Sequence, residues 1–247
     1  MSAVIQFKQP QQQTIVQTIC LDIETCHAED SVIAMELSTW KPPANYKTTE
    51  AITKARMEAE IRIREKSALL DAAPVACIGL CDLQGDVVVF HWLGVPHGST
   101  GELFSNKSDS ERDMLISFRE WANACTDINT EIVGFNLGFD LPHLRLAYTR
   151  HNLRLPALLI PRAGNVIHDV MFLFTRYFSS KDTPFISLSA VATRLGLSEG
   201  KQLSGADVPD YIATGDPQKH HDVVIYNGLD VLLTMRAYLI LTGQVGD

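Results

Sequence analysis

"CLDIETC", residues 20–26, sets two carboxylates into what otherwise reads as a buried strand. The run before it, "TIVQTI" at 14–19, is β-branched and apolar, the composition of a strand packed inside a sheet. Side chains alternate along a strand, so Asp22 and Glu24 point to one face, with Cys20, while Leu21 and Ile23 fill the other. Two like charges side by side repel, and each resists leaving water. A divalent cation would offset that repulsion, because hard cations take oxygen ligands. One pair is too few for such a site, so further acids should lie at the edges of neighbouring elements.

Two more candidates lie far downstream. "GFNLGFDLPHL" places Asp140 between a strand and a helix, in an apolar setting. An N-cap before Leu141-Pro142 is its alternative reading. "YNGLDVLL" places Asp230 inside an apolar helix with Tyr226 one i, i+4 step earlier, on the same face. A buried unpaired carboxylate there is costly. Asn227-Gly228 between them is a turn signal, and a turn would separate Tyr226 from Asp230. The apolar continuation "LDVLLTMRAYLIL" favours an unbroken helix instead.

The remaining elements follow from periodicity and punctuation. "WKPPANYK", with its paired prolines, continues an irregular stretch after the first strand. Residues 48–70 read as a helix with Thr48 or Thr49 as N-cap. That helix holds Lys54, Arg56, Arg62, Arg64 and Lys66, the densest basic cluster of the chain, interleaved with Glu50, Glu58, Glu60 and Glu65. It is either a solvated face or a flap that contacts a phosphate backbone. "VACIGLCDLQGDVVVFHW" reads as a hairpin turning at Gln84-Gly85. A helix at 110–125, a short strand in "TEIVGFN" and a helix over "LPHLRLAYTRHN" follow. A strand near 165–169, a helix at 169–178, and a short helix in "SLSAVATRLGL" with Ser187 as N-cap come next. The last 25 or so residues form a long helix. A hairpin-linked group of strands, then strands alternating with helices, predicts an α/β mixed sheet covered by helices, with no linker dividing residues 1–247.

Composition narrows the function classes. The 247 residues suffice for one large core, and hydrophobic residues at 46% and charged residues at 20% are ordinary. A formal charge of −8 argues against a chain that coats nucleic acid, though not against an enzyme with clustered basic residues. No apolar run reaches the length of a bilayer span and the N-terminus lacks a signal peptide's apolar core, so cytoplasm is the expected compartment and no membrane partner is expected. Five cysteines without a C-x-x-C do not suggest a disulfide framework. Zinc would have to be assembled from Cys20, Cys26 and His27, whereas buried or surface thiols are the simpler reading.

Taken in order, strand D-x-E, then N-x-x-F-D-x-P, then Y-x-x-x-D, the chain resembles the DEDD exonucleases of ribonuclease H-like fold. The likeness is to the tyrosine subclass, which includes the 3′-5′ proofreading exonuclease domains of family B DNA polymerases. The histidine subclass has His five places before the last Asp, and position 225 here is Ile. The resemblance runs from about residue 15 to 240 and leaves no room for polymerase palm or fingers, as in a stand-alone phage or bacterial enzyme. It implies a ribonuclease H-like mixed sheet flanked by helices. Residues 27–72, longer than the minimal fold needs, stand out as an inserted basic helical segment after the first strand.

The resemblance also implies chemistry: a 3′-5′ exonuclease that hydrolyses phosphodiester bonds at the 3′ ends of single-stranded DNA and releases nucleoside 5′-monophosphates. Two divalent metal ions, Mg²⁺ or Mn²⁺, fit all-oxygen ligands and an in-line displacement. By similarity Asp22 bridges both ions, Glu24 and Asp230 complete one site, and Asp140 supports the second through water. A phenol with an ordinary value near 10 is a poor general base at neutral pH, so Tyr226 is expected to orient the attacking water. Thr25 is expected to meet the terminal sugar through its backbone. Phe139 is either a wedge against terminal bases or a core residue, and Asn136 either contacts substrate or caps backbone groups. His143, one turn beyond Asp140, reads either as approaching the phosphate or, more simply, as a surface histidine, and Asp169 as structural. RNA is an alternative substrate, and a non-catalytic module binding nucleic acid or a replication or repair partner is the alternative of another class.

Overall fold

The computed structural model describes residues 18–95, 98–100, 103–127, 129–161, 166–178, 185–197 and 203–244. The predicted start of the first strand, at 14–17, lies outside them. The strands are β1 (Thr18–Thr25), β2 (Val75–Asp82), β3 (Val87–His91), β4 (Gly98–Thr100), β5 (Leu103–Lys107), β6 (Glu131–Gly134) and β7 (Ile167–Asp169). They form one sheet in the order β4-β5-β3-β2-β1-β6-β7. β1 pairs antiparallel with β2 and parallel with β6, and β6 pairs parallel with β7. The sheet is mixed, as the strand pattern predicts.

Helices cover both faces because β1 and its neighbours are apolar on both. Ile19, Leu21 and Ile23, with Ile78, Leu80, Val88, Phe90 and Ile132, pack under α3 (Glu111–Cys125) and α4 (Leu137–Arg150). Cys20, Cys77, Val89 and Val133 pack on the other face under α5 (Val170–Phe178), α6 (Leu188–Arg194), α7 (Val208–Ala213) and α8 (Pro217–Thr242). α8 lies across β1, β2, β3 and β6. It is also long and apolar enough to cross a membrane by length and composition, which corrects the expectation that no such run exists. Yet 67% of that window is buried inside the fold, as befits a central core helix.

The segment 27–72 is helical. α2 (Thr49–Glu65) starts where predicted, with the Thr48 side chain accepting from the Ala51 N–H at 3.2 Å. The irregular stretch expected before it contains a helix, α1 (Asp30–Thr39). α1 buries Ile33 alone and its N-cap Glu29 makes no side-chain cap bond, so it offers neither amphipathic period nor capping signal. The arm returns to the sheet through a 3₁₀ turn at Ser67–Leu69. There Thr25 Oγ1 donates to the Ala68 carbonyl at 2.8 Å.

α4 starts four residues earlier than the proline suggested, so Asp140 lies in its first turn rather than before it, and Pro142 sits inside the helix. Asn136 adopts φ 61° at the N-cap and makes no side-chain cap bond. The cap comes instead from β7: the Asp169 carboxylate accepts from the N–H groups of Asn136 (3.1 Å), Leu137 (2.9 Å) and Met171 (3.0 Å). Gly134 makes the strand-to-helix turn possible, since a Cβ there would fall 2.9 Å from the Leu21 carbonyl oxygen and closer still to Leu137. Asp169 is structural, as expected.

Candidate active site

β1 carries two acids onto the face under α8, and α8 carries a third down to meet them. One oxygen each of Asp22, Glu24 and Asp230 lie within 4.8 Å of one another. α8 runs unbroken through Asn227-Gly228, so Tyr226 and Asp230 keep their shared face. Tyr226 is buried and its hydroxyl hydrogen-bonds the Asp230 carboxylate. The helix therefore delivers one ligand and one phenol to the same cleft.

The electrostatics are those of crowded, buried acids. Burial first, then the charges of Asp140, Glu24 and Asp230, hold Asp22 well above the usual carboxylate range. Burial and the nearby acids push the Tyr226 phenol up as well, so it stays protonated at neutral pH. Oxygen donors from three carboxylates form a hard, anionic set that suits a divalent cation of the Mg²⁺ or Mn²⁺ class. The residues present fit the metal that the sequence pattern implies, and a cation would relieve the repulsion that raises Asp22.

Asp140 sits beside this trio rather than in it. Its side chain is 3% exposed, and Oδ1 accepts the Ile23 N–H of β1 at 3.0 Å. Burial raises its carboxyl to about 7, against the lowering effect of that bond. Asp140 therefore ties α4 to β1 between the two acids and adds negative charge to Asp22.

The other candidates separate by position. Phe139 is half-buried, packs on the core under α4, and lies 4.1 Å from the His143 ring, centroid to centroid. The packing of Phe139 on that cluster accords with its core reading. Asn136 is half-buried beside it at the turn. Thr25 is buried, at a register shift where β1 ends against Val75.

His143 corrects the surface reading. It is 3% exposed, with Nδ1 3.0 Å from the Phe139 carbonyl and Nε2 3.1 Å from the Leu70 carbonyl. It links α4 to the end of the arm, a long-range contact that no local pattern announces.

The zinc alternative fails on contacts. Cys20 and Cys26 are buried, and burial pushes both thiols up, Cys26 to about 12, so neither is a ready thiolate. His27 instead lies 2.9 Å from Ser67 Oγ and 2.9 Å from Asp210 Oδ1. His220 accepts from the Gly94 N–H and faces the Ile212 carbonyl, which makes it a structural link between α8 and the sheet side.

Sequence reasoning missed Asn227. Its Nδ2 donates to Asp22 Oδ2 at 2.7 Å. The residue opposite Asp22 on β2 is Gly79, and a Cβ there would lie 2.5 Å from Asn227 Oδ1. The one available signal was its i, i+3 spacing to Asp230, masked by the turn reading of Asn-Gly.

No curated protein sequence matches this chain. Among solved structures it is similar to the family B DNA polymerase from the hyperthermophilic archaeon Pyrobaculum calidifontis, with a TM-score of 0.52 and 16% sequence identity. The likeness covers 91% of this chain and 24% of the polymerase, so the chain spans about a quarter of that protein, and at this identity what is shared is the fold. The family model of the RNase H superfamily matches residues 70–241, a stretch that holds Asp140, Tyr226 and Asp230 and begins where the arm ends. With a mixed sheet under helices and the acids at its centre, the chain belongs to the RNase H superfamily.

Proposed function

We propose that this protein is a metal-dependent 3′-5′ exonuclease that removes nucleoside 5′-monophosphates from the 3′ ends of single-stranded DNA. The observation that carries the reading is the convergence of Asp22, Glu24 and Asp230 to within 4.8 Å, beside a buried Tyr226. Superfamily membership supports a nuclease, and the tyrosine four residues before the last acid supports the exonuclease subclass.

Two divalent cations, when bound, supply charge neutralisation at the scissile phosphate and raise the acidity of the attacking water. Asp22, Glu24 and Asp230 are the residues that would hold them, with Asp140 supporting the second through water. The chain's own contribution is placement. Tyr226, protonated and donating its one O–H to the Asp230 carboxylate, orients a water through its hydroxyl oxygen without taking up that water's proton. Phe139, half-exposed at the first turn of α4, lies against the terminal base, and Asn136 and the Thr25 backbone flank the terminal nucleotide. Nothing in such a set reads base identity, in keeping with a degradative enzyme.

The test is a single-stranded DNA labelled at its 5′ end, incubated with the protein and Mg²⁺ or Mn²⁺, with EDTA, and with Asp22→Ala. A metal-dependent ladder shortening from the 3′ end and absent in the variant is the expected result, and a matched RNA lane assigns the sugar preference. Intact substrate under both metals would overturn the reading in favour of binding without cleavage.

A further inference from the structure

We infer that Asn227 is a positioning residue that fixes the carboxylate of Asp22 from within the buried face of α8, so that this ligand of the cluster is set before a cation arrives. The inference rests on the metal-binding reading of Asp22, Glu24 and Asp230.

Asn227 is fully buried in α8, next to Tyr226 and three residues before Asp230. Its carboxamide nitrogen lies 2.7 Å from Asp22 Oδ2. Its carbonyl oxygen, among the described residues, has no hydrogen-bond partner. A buried amide with one half unsatisfied is costly, and leucine would fill nearly the same volume without that cost. The favourable part of this side chain is therefore its donor, and the donor is spent on Asp22.

The sheet is shaped to receive it. Asp22 is paired in register with Gly79. A Cβ at position 79 would stand 2.5 Å from Asn227 Oδ1, 3.0 Å from its Cγ and 3.1 Å from Val231 Cγ1. Such approaches require something to move, and what moves is the amide that holds Asp22 or the helix that carries it. The bare backbone of Gly79 thus admits the side chain that aims its neighbour across the strand pair.

One oxygen of Asp22 is committed to Asn227, which leaves Oδ1 for a cation. Asp140 repeats the arrangement, with Oδ1 committed to the Ile23 N–H. The carboxylates are oriented by donors that belong to the fold, as ligands of metal sites generally require. α8 consequently brings three groups to the site: a ligand, a phenol and the amide that sets another ligand.

The experiment titrates Mn²⁺ alone into the full chain, followed by calorimetry and by the Mn²⁺ electron paramagnetic resonance signal. Wild type, Asn227→Leu and Gly79→Ala are compared, each also in an Asp22→Asn background, and the melting of each metal-free protein is recorded. Asn227→Leu keeps the volume and removes the donor, while Gly79→Ala displaces the amide from the opposite side and carries the test should the first variant fail to fold. Both variants should bind Mn²⁺ about 10–100-fold more weakly than wild type, the range for loss of a ligand-orienting hydrogen bond. In the Asp22→Asn background the same changes should have little further effect, because the bond they remove no longer orients a carboxylate. Unchanged affinity in a folded Asn227→Leu, or an equal loss in both backgrounds, would overturn the inference. Wild type that binds no Mn²⁺ would overturn the metal reading itself, an outcome distinct from a variant that binds normally.

Discussion

Asp22 and Glu24 are two residues apart on a strand whose other face is Ile19, Leu21 and Ile23, and that alternation assigns their roles. The apolar side anchors β1 on α4, so the acid side can be held against repulsion by packing it does not itself provide. Tyr226 belongs to the same economy of placement. Its phenol is raised above its ordinary value by burial and by Asp230, Glu24 and Asp22, which leaves its hydroxyl as a donor and bars it from acting as a base at neutral pH. Tyr226→Phe should therefore bind Mn²⁺ as wild type does while kcat falls about 100-fold, the scale of a misoriented nucleophile. Parallel metal titration and single-turnover kinetics check this, and a variant with wild-type turnover would remove the orienting role. Asp22, Glu24 and Asp230 were legible because each is odd where it stands, a charge in a strand or in an apolar helix, and Tyr226 was picked out by its i, i+4 spacing to Asp230. Asn227 was not, because its meaning depends on Gly79, which is distant in sequence and identifiable only once β1 and β2 are in register.

Elements with their own start signals began where expected, although α2 ends at Glu65, short of the 48–70 reading, and gives way to the 3₁₀ turn at Ser67–Leu69. Thr48, Ser110 and Ser187 each accept from a backbone N–H three residues on, and α2, α3 and α6 begin after them. α4 lacks such a signal because its cap is supplied from β7 by Asp169, and its local sequence instead shows a proline that suggests a later start. α1 and the six-residue α7 were missed for want of amphipathic period, and the pair β4 and β5 because they are a short edge of the sheet. Asp169 caps α4 and α5 together with three hydrogen bonds to one carboxylate. Asp169→Ala should accordingly cost about 2 kcal/mol in denaturant unfolding, the scale for removing charge-assisted bonds to buried N–H groups. Its effect should extend to Asp140, one turn along the freed helix, so that weaker Mn²⁺ binding accompanies the lost stability. A variant as stable as wild type would show that the α4 start is held by Gly134 and packing alone.

At the scale of the molecule, the strand order puts the C-terminal ends of β1, β6 and β7 on one edge, where β1 ends beside the helices that follow the other two. Ligand sites in open α/β sheets form at such edges, and here the inserted arm closes onto the same edge. Thr25 bonds the Ala68 carbonyl and His143 faces the Leu70 carbonyl, so the C-terminal end of α2 is fastened beside the acids. The basic cluster of α2 divides accordingly. Arg64 is engaged within the arm, 2.6 Å from Asp30 and 3.1 Å from Glu60. Arg62 and Lys66 are exposed near the fastened end, so a contact of the arm with a phosphate backbone would rest on them. For a single strand each phosphate contact contributes about 0.7 to the slope of log affinity against log salt. Replacing Arg62 and Lys66 with alanine should make that slope shallower by roughly 0.7 for each contact removed. Arg64→Ala should leave the slope as it is, since its charge is already answered by Asp30 and Glu60. Binding of single-stranded DNA to an Asp22→Ala protein across a salt series measures all three without cleavage. Equal slopes throughout would make the arm a solvated face, and an effect of Arg64 as large as that of Arg62 would mean that its ion pairs open when DNA binds.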